Sequence, residues 1–315
     1  MTAPTIPASV AAGHASQSAA PSGRARVAVI GTGIMGSVLA HRLLDLGFEL
    51  DVFNRTTAKT LALEARGAHT HSTPRDAVQD ASIVLTAVTD VQALDAVLLG
   101  SDGISAAPTA GRLLVDVGTR DPIALGISAA AAVAAGLKFV EAPMTGSVHD
   151  AEHGTLRFLV GAADEDFAAS EPFLCALGAA AFHLGPVGSG NVAKLALNLL
   201  VGTMAKSLAE AVAVLRAARI DVATFLTALD GSGLASPLYR RIGDRYLAGD
   251  FATRFSIGNL HKDIRLLHLH STGEGLDLLI CTALLKALDG IEDNARGSDY
   301  SRLLALESPR LGAGS

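Results

Sequence analysis

The sequence is poor in cysteine and contains no long, uninterrupted hydrophobic run. Its 315 residues include two cysteines, Cys175 and Cys281, which have no CxxC or zinc-type spacing. This scarcity argues against a disulfide scaffold and a cysteine-ligated metal, and it favours a reducing, cytoplasmic location. A membrane helix needs roughly 18 to 20 apolar residues without polar interruption, and we identify no such run. We therefore expect a soluble globular protein that does not cross a membrane.

The sequence also lacks a basic block. Its 31 acidic residues outnumber its 25 lysines and arginines, which gives a net charge of −6. A chain with this balance is a poor candidate for nucleic-acid binding, so no nucleic-acid partner is expected. Half of the residues are hydrophobic and 18% are charged, so a large core is feasible and wholesale disorder is excluded.

Acidic residues are absent from the first 25 positions, which are rich in alanine, serine and proline. A secretory signal would have a basic start and a compact apolar stretch, and an organelle transit peptide would be richer in arginine. Residues 1–25 are therefore predicted to form a disordered tail.

Short apolar runs alternate with helical patterns in the next part of the chain. This alternation is typical of parallel strands in βαβ units that are covered on both faces. The strand patterns stop near Gly190, and a long apolar helix is predicted over 191–219. We predict a doubly wound α/β domain over 26–189 and an all-helical substrate and dimerisation domain over 190–315, joined by this long interdomain helix. Strands are predicted at 27–31, 50–54, 82–88, 113–117, 138–143, 156–162 and 180–185.

A glycine-rich turn follows the first predicted strand and precedes a helical pattern. Its sequence is Gly31-Thr32-Gly33-Ile34-Met35-Gly36. Gly31 permits a tight turn, Gly33 lets a pyrophosphate approach the backbone, and Gly36 lets the helix pack closely on the strand. The helix N-terminus then offers N–H donors to the phosphate groups. A purely structural turn is the alternative, but this context favours a Rossmann-type domain that binds a dinucleotide.

The end of the second predicted strand bears on the choice of dinucleotide. NAD-binding domains carry a carboxylate about 20 residues after the glycine turn, where it holds the ribose 2′-hydroxyl. This chain has Asn54-Arg55-Thr56 there instead. Asn54 does not repel a 2′-phosphate, and the guanidinium of Arg55 can pair with one. We predict that NADPH is preferred over NADH, the alternative being that Arg55 is a solvated loop charge.

The long helix after Gly190 carries a lysine in apolar surroundings. Lys194 and Asn198 are four residues apart and therefore lie on one helical face. Although most helical lysines are solvated surface charges, an ammonium in such a segment is costly without a function. Burial should lower its pKa, so Lys194 is a candidate for donating a proton to a carbonyl oxygen during hydride transfer. Asn198 could hold the substrate oxygen or orient the lysine.

Several motifs in order resemble those of the β-hydroxyacid dehydrogenase family, over about residues 26–305. This family includes 3-hydroxyisobutyrate dehydrogenases and glyoxylate/succinic semialdehyde reductases. The motifs are the turn at 31–36, Glu141-Ala142-Pro143-Met144-Thr145-Gly146-Ser147, the segment 188–198, and the pair Lys262-Asp263. The resemblance implies that Thr145, Gly146 and Ser147 bind the substrate carboxylate. It also implies that Lys194 is the proton donor and that Asn198 assists it.

The same resemblance implies roles for four further residues. Thr119 would lie near the nicotinamide and the substrate, Lys262 would lie over the nicotinamide end or the closed site, and Phe255 and Asp263 would line the site. Without the family these residues would more often be ordinary, Phe255 as a core aromatic and Lys262-Asp263 as a surface pair. The usual serine of the substrate motif is Thr145 here, and the usual Asp-x-Ser-Thr has Gly118 in place of its serine. These departures affect the substrate more than the reaction type.

The expected function is an NADPH-dependent oxidoreductase that interconverts a small semialdehyde or keto acid and its hydroxy acid. An imine reductase-like enzyme and a non-catalytic NADPH-binding scaffold are the alternatives; Lys194 argues against both. The partner is then a small carboxylate-bearing substrate. The apolar helices after Gly190 and the resemblance both favour a homodimer or homotetramer.

Two histidines have a spacing that can bind metal. His149 and His153 are at i and i+4, but the sequence shows no third ligand and no HExxH motif, so no metal site is expected. Both cysteines are expected to be buried small residues.

Overall fold

The structure is a computed structural model that describes residues 25–306. The predicted tail lies outside the described residues except for Ala25. The chain forms two compact units. We call them the N-terminal unit, residues 25–118 and 126–190, and the C-terminal unit, residues 119–125 and 191–306.

The N-terminal unit contains a sheet that is nine-stranded within the described residues. Its order is β3-β2-β1-β4-β5-β6-β8-β7, and β9 pairs with β8. The strands are β1 Arg26–Ile30, β2 Glu49–Phe53, β3 His69–Thr70, β4 Ile83–Thr86, β5 Leu113–Asp116, β6 Lys138–Glu141, β7 Met144–Thr145, β8 Leu156–Gly161 and β9 Gly178–Gly185.

The strands from β1 to β6 are parallel, as their continuous apolar character predicts. The expectation of parallel pairing is wrong for β8, which runs antiparallel to both β6 and β7. A parallel crossover takes about a dozen residues or more, usually including a full helix. The segment between β7 and β8 holds one six-residue helix, so the chain turns back and pairs antiparallel.

Helices flank this sheet, and the core lies between them and the strands. Val27 and Val29 of β1 are fully buried against Leu39 and Leu43 of the first helix. The helices that begin before residue 189 are α1 Ile34–Asp45, α2 Leu61–Glu64, α3 Pro74–Ala77, α4 Val91–Leu99, α5 Pro122–Ala134, α6 Val148–His153 and α7 Asp164–Leu177.

The C-terminal unit is helical throughout its described residues, apart from turns and a single β-bridge. A buried core joins its longest helices, and at Gly202 a Cβ would lie 2.8 Å from the Leu284 side chain. The long helix therefore packs so closely at Gly202 that a Cβ there would have to displace the Leu284 side chain. The helices are α8 Ser189–Ala217, α9 Val222–Asp230, α10 Pro237–Ala248, α11 Ile257–Gly273, α12 Leu279–Asp289, α13 Asp293–Arg296 and α14 Leu303–Leu306.

Two expectations from composition need correction. By length and apolar composition, helix α8 could cross a membrane, and 33% of its most apolar window is buried; a mostly buried core helix passes the same test. Leu195 and Leu208 of α8 do lie in the core of the C-terminal unit. Cys281 is buried as predicted, but Cys175 is exposed. Cys175 lies on the outer face of α7, whereas the adjacent Leu174 lies on its buried face.

Candidate functional site

The glycine turn between β1 and α1 has the backbone that its sequence requires. Gly31 has φ +99°, and a Cβ there would lie 2.7 Å from the carbonyl oxygen of Ala87. At Gly36 a Cβ would lie 2.1 Å from the Gly31 carbonyl oxygen, whereas at Gly33 it would meet nothing within 4 Å. Two glycines therefore keep the turn tight, and the third faces open space.

The N-terminus of α1 has no anion of its own. Gly33 is its N-cap residue, no side chain caps it, and its first turn contains no acidic residue. The helix dipole and the unpaired N–H groups of such an end favour a bound phosphate. A backbone that excludes side chains at Gly31 and Gly36 and leaves space at Gly33 fits the pyrophosphate of a dinucleotide.

The three residues after β2 have different environments. Asn54 accepts a hydrogen bond through Oδ1 from the Thr32 N–H at 3.0 Å, and its Nδ2 donates to the Thr56 carbonyl at 2.9 Å. Asn54 thus ties the turn to the end of β2. Arg55 is exposed and forms no ion pair with any residue in the range 25–306. Its guanidinium is therefore available to an external anion. Ile34, which belongs to the predicted cofactor turn, has an exposed side chain, with 53% of its surface accessible.

Glu141, in the second motif, holds the beginning of α8. Its side chain is fully buried, and Oε1 accepts from the N–H groups of Gly188 at 2.6 Å and Gly190 at 2.8 Å. A carboxylate at a helix N-terminus satisfies donors that the helix itself leaves unpaired. This structural role was not predicted, because the chain has no local signal for it: the partners are 47 and 49 residues away.

The donors of Ser147, predicted to receive a substrate carboxylate, bind a carboxylate of the chain itself. Both the N–H and the hydroxyl of Ser147 donate to Asp150 Oδ2 at 2.6 Å, and the Asp150 N–H donates to Ser147 Oγ at 3.3 Å. This is a capping box at the start of α6. The spacing Ser-x-x-Asp is its signal in the sequence, and the expectation for Ser147 did not take that signal into account.

Asp150 remains a carboxylate in this arrangement. Burial opposes its ionisation, but hydrogen bonds from Ser147 and Thr155 outweigh burial and lower the pKa of Asp150. The preceding Gly146 has φ +134°, and a Cβ there would lie 2.8 Å from the Leu156 side chain. Thr145, half-buried in β7, pairs with Arg157 of β8. The backbone of this turn therefore requires a glycine at position 146. The carboxylate that binds its donors is Asp150 of the same chain.

Lys194 and Asn198 belong to a charged cluster in the C-terminal unit. Asn198 is 3% exposed, and its Nδ2 donates to Asp263 Oδ2 at 2.6 Å. Asp263 Oδ1 lies 2.8 Å from Lys262 Nζ, which also donates to the Thr119 carbonyl oxygen at 2.8 Å. The structure thus brings α8, α11 and the segment 119–125 together. The residues that meet there had been predicted from separate motifs of the sequence.

The electrostatics of this cluster favour proton exchange. Lys194 is half-buried. Burial nevertheless lowers the pKa of Lys194; attraction by Asp263 opposes this shift and repulsion by Lys262 reinforces it. Burial likewise raises the pKa of Asp263, against the effects of Lys262, Lys194 and Asn198. An amine with a lowered pKa changes protonation state nearer to neutral pH than a solvated lysine does.

Two buried polar residues in the same unit were not predicted from the sequence. Arg120 is 1% exposed, and its N–H donates to Asn191 Oδ1 at 2.7 Å. Asn191, Lys194 and Asn198 have the spacing i, i+3, i+7 and so share one face of α8. That spacing was visible in the sequence. The link from Arg120 was not, because 71 residues separate the partners.

Phe255 has an environment that explains its presence without a ligand. Its N–H donates to Asp299 Oδ2 at 3.1 Å, and its ring packs edge-on against Tyr300 with centroids 5.9 Å apart. Phe255 also packs against the core of the C-terminal unit.

A cavity of about 210 Å³ lies between α9 and α10, and none of the predicted site residues lines it.

The interpretation of His149 and His153 from the sequence did not consider a nearby glutamate as a third ligand. Glu152 lies with them on α6, and the three potential ligand atoms are all within 4.8 Å of one another. The expectation of no metal site depended on the absence of the order HExxH, whereas here the glutamate directly precedes the second histidine.

Comparison with known proteins identifies the family. Residues 26–185 match the NAD-binding domain of 6-phosphogluconate dehydrogenase, and residues 188–306 match the NAD-binding domain of NADP-dependent 3-hydroxyisobutyrate dehydrogenase. These two matches together cover almost all of the described residues.

Individual relatives agree with the family matches. The chain is 30% identical to 2-(hydroxymethyl)glutarate dehydrogenase of Eubacterium barkeri over 260 residues, 82% of this chain and 86% of that protein. It is 29% identical to glyoxylate/succinic semialdehyde reductase 2 of Arabidopsis thaliana over 244 residues, 78% of this chain and 68% of the relative.

Solved structures share the fold. The crystal structure of 3-hydroxyisobutyrate dehydrogenase from Salmonella typhimurium superposes with a TM-score of 0.82 at 20% identity. The superposition covers 90% of this chain and 100% of that one. The Rossmann-type fold with a helical C-terminal region is therefore confirmed. The chain belongs to the β-hydroxyacid dehydrogenase family, of the 3-hydroxyisobutyrate dehydrogenase type, and is an NAD(P)-dependent oxidoreductase that acts on CH–OH groups.

Proposed function

We propose that this enzyme uses NADPH in preference to NADH and interconverts a small semialdehyde or keto acid and its hydroxy acid. Lys194 supplies the proton in the direction of reduction. The observation that carries this proposal is the cluster of Lys194, Asn198, Lys262 and Asp263, in which burial lowers the pKa of a lysine. The names of relatives support the substrate class, since a glyoxylate/succinic semialdehyde reductase and a hydroxymethylglutarate dehydrogenase both act on carboxylate-bearing compounds.

The N-terminal unit would hold the dinucleotide. A bound nicotinamide supplies or accepts the hydride, and this chain provides the binding groups. The turn at 31–36 and the N-terminus of α1 receive the pyrophosphate. Arg55, exposed and without an ion pair among residues 25–306, receives the 2′-phosphate that distinguishes NADPH from NADH.

The C-terminal unit would move the proton. In reduction, the ammonium of Lys194 donates a proton to the substrate oxygen, and in oxidation the neutral amine removes the proton of the hydroxyl group. Asp263 holds Asn198 by the 2.6 Å hydrogen bond and limits the fall of the lysine pKa by its charge. Asn198 and Asp263 therefore position Lys194 and adjust its proton affinity.

The turn at 145–147 would select the acid group of the substrate. The hydroxyl of Thr145 and the N–H groups of the turn are donors suited to a carboxylate. Asp150 already accepts from Ser147, so a substrate carboxylate competes with it for these donors. Asp150 thereby weakens the binding of acids.

The decisive test is the K194A variant with NADPH and a panel of glyoxylate, succinic semialdehyde, methylmalonate semialdehyde, tartronate semialdehyde and cyclic imines, read at 340 nm. We expect turnover of at least one aldehyde or keto acid, and a fall in kcat of about 10²–10⁴-fold in K194A. Dinucleotide binding should persist. The matched control is K206A on the same helix, whose ammonium pairs with Glu210 at 3.3 Å; its kcat should equal that of the wild type.

Three outcomes would contradict the proposal. Undiminished turnover in K194A would exclude the lysine as proton donor. NADPH binding without turnover of any compound would favour the scaffold, whereas turnover confined to the cyclic imines would favour an imine reductase.

The pH dependence should differ between the two directions. Because burial lowers the pKa of Lys194, the ammonium needed for reduction is lost below the pH at which an ordinary lysine deprotonates. Activity in reduction should fall as pH rises through this pKa, and activity in oxidation should rise. In D263N the attraction that supports the ammonium is lost, so both inflections should move to lower pH. Profiles of kcat/KM that do not move would show that Asp263 has no effect on Lys194.

We also propose that the protein is a homodimer or homotetramer assembled through its C-terminal unit. The support is exposed apolar surface, with Leu200 60%, Leu234 73% and Leu279 77% exposed. Side chains of this size and number favour burial in an interface. Size-exclusion chromatography with light scattering at micromolar concentration should give a multiple of the chain mass, and a monomer would contradict the proposal. The cytoplasmic location remains a prediction.

A further inference from the structure

We propose that His149, Glu152 and His153 form a binding site for a divalent transition metal, with Zn²⁺ as the best-suited common ion. The three side chains are exposed on helix α6 of the N-terminal unit. Dinucleotide binding and the proposed proton transfer use none of them. The proposal does not rest on the identity of the enzyme's substrate.

Geometry is the first argument. Residues four apart on a helix lie above one another, and the imidazole centroids of His149 and His153 are 4.0 Å apart, with the rings tilted by 42°. One nitrogen from each imidazole and a carboxylate oxygen of Glu152 all lie within 4.8 Å of one another. Ligand atoms around a single tetrahedral zinc ion, at about 2.0–2.2 Å from the metal, lie about 3.3–3.6 Å apart, so small rotations of these exposed side chains would bring all three onto one ion.

The second argument is the tautomer of His153. Its Nδ1 lies 2.8 Å from the His149 carbonyl oxygen. A carbonyl oxygen only accepts, so Nδ1 carries the proton and Nε2 keeps a free lone pair. Metal-binding histidines generally donate their other N–H to a carbonyl or carboxylate, which fixes the ring and raises its basicity. In the neutral ring this hydrogen bond leaves Nε2 as the nitrogen of His153 that can bind a metal.

The donor set determines the class of ion. Two imidazoles and one carboxylate suit Zn²⁺, Ni²⁺ or Cu²⁺, whereas Mg²⁺ and Ca²⁺ prefer sites built from oxygen ligands. Three protein ligands leave the fourth tetrahedral position of zinc to water, which an exposed site supplies.

The place in the fold gives the site a consequence. Helix α6 has six residues and begins at the Ser147–Asp150 capping box. A helix of this length has little stability of its own. A metal that joins His149 to His153 closes one complete turn, so binding should stabilise α6 and the cap on which it depends.

The test uses full-length protein without a polyhistidine tag, freed of metal with EDTA and titrated with Zn²⁺ against a chromophoric chelator. We expect saturable binding of one Zn²⁺ per chain. H149A and H153A should each raise Kd by more than about tenfold, since even outer-shell changes cost 10–100-fold. E152Q should have a smaller effect. H69A, which removes another exposed histidine, and C175S, which removes the exposed thiol, should bind like the wild type.

Hydrogen exchange locates the bound ion. Zn²⁺ should slow exchange of the amides at 148–154 in the wild type and in H69A, and it should not do so in the H149A/H153A double variant. Wild-type affinity no better than that of the double variant would overturn the proposal. Slowed exchange only outside 148–154 would also overturn it, because the ion would then be bound elsewhere.

Discussion

Two turns of the N-terminal unit were each expected to bind an anion, and they differ in how they begin a helix. The turn at 31–36 leads into α1 with a glycine N-cap, no capping side chain and no acid in the first turn. The turn at 145–147 leads into α6 with a serine N-cap whose donors both bind Asp150. The first helix end is left for a ligand, and the second already has a carboxylate.

The contrast shows that a donor-rich turn is not by itself a ligand site. An N–H group that points at a carboxylate three residues away satisfies its hydrogen-bonding requirement within the chain. An external anion must then exchange with that partner and gains only the difference between two similar bonds. The phosphate of a dinucleotide meets no such competitor at α1, so binding there should be the stronger of the two.

The largest effect is expected for G36A. A Cβ at Gly36 would lie 2.1 Å from the Gly31 carbonyl oxygen, so the turn must distort, at a cost of about 3 kcal/mol or more. Thermal unfolding and an NADPH titration should show lower stability and no measurable binding. G33A is the matched control, since its Cβ meets nothing within 4 Å: stability should stay near that of the wild type while NADPH binds more weakly. Equal behaviour of the two variants would contradict the assigned roles.

The next largest effect is expected on the choice between NADPH and NADH, through the 2′-phosphate that Arg55 is proposed to bind. R55D replaces an exposed cation with an anion at the end of β2, and a charge-assisted hydrogen bond contributes about 1.5–3 kcal/mol. We expect the ratio of kcat/KM for NADPH to that for NADH to fall about ten- to a hundredfold. R265D, at an exposed arginine of the C-terminal unit, should leave the ratio unchanged. An unchanged ratio in R55D would remove the basis for the predicted NADPH preference.

A smaller change is expected for D150A. Removal of this carboxylate frees the N–H and hydroxyl of Ser147 and removes a like charge from the neighbourhood of an acidic substrate. The KM of a carboxylate-bearing aldehyde should fall about fivefold, corresponding to about 1 kcal/mol. The KM of a neutral aldehyde such as propanal should change little, and D164A, at a fully exposed acid, should resemble the wild type. A higher KM for the acid in D150A would mean that Asp150 supports the turn and does not compete.

The smallest effect is on stability. S147A removes the N-cap side chain of α6, and such a change costs about 1 kcal/mol. Denaturant unfolding should show this loss. A loss well below it would mean that the capping box contributes little to the fold, and the contrast between the two turns would weaken.

Much of this architecture was predictable because its signals are local. Apolar runs of strand length, helical periodicity and a glycine at a position with φ +99° are requirements that each short segment must meet by itself. The parallel strands, the turn at 31–36 and the spacing of Lys194 and Asn198 follow from such requirements. The antiparallel β8 did not, because strand direction depends on how the preceding connection folds.

The sequence by itself determined which residues could do chemistry, namely a lysine in an apolar helix, a glycine turn after a strand and an arginine where a carboxylate is usual. Only the tertiary structure decided what these groups contact. It brought Asn198 to Asp263, 65 positions away, and it directed Glu141 to the start of α8. The physical reason is that periodicity fixes the face on which a side chain lies, whereas hydrogen-bond partners and pKa shifts depend on distances that arise only when separate elements pack together.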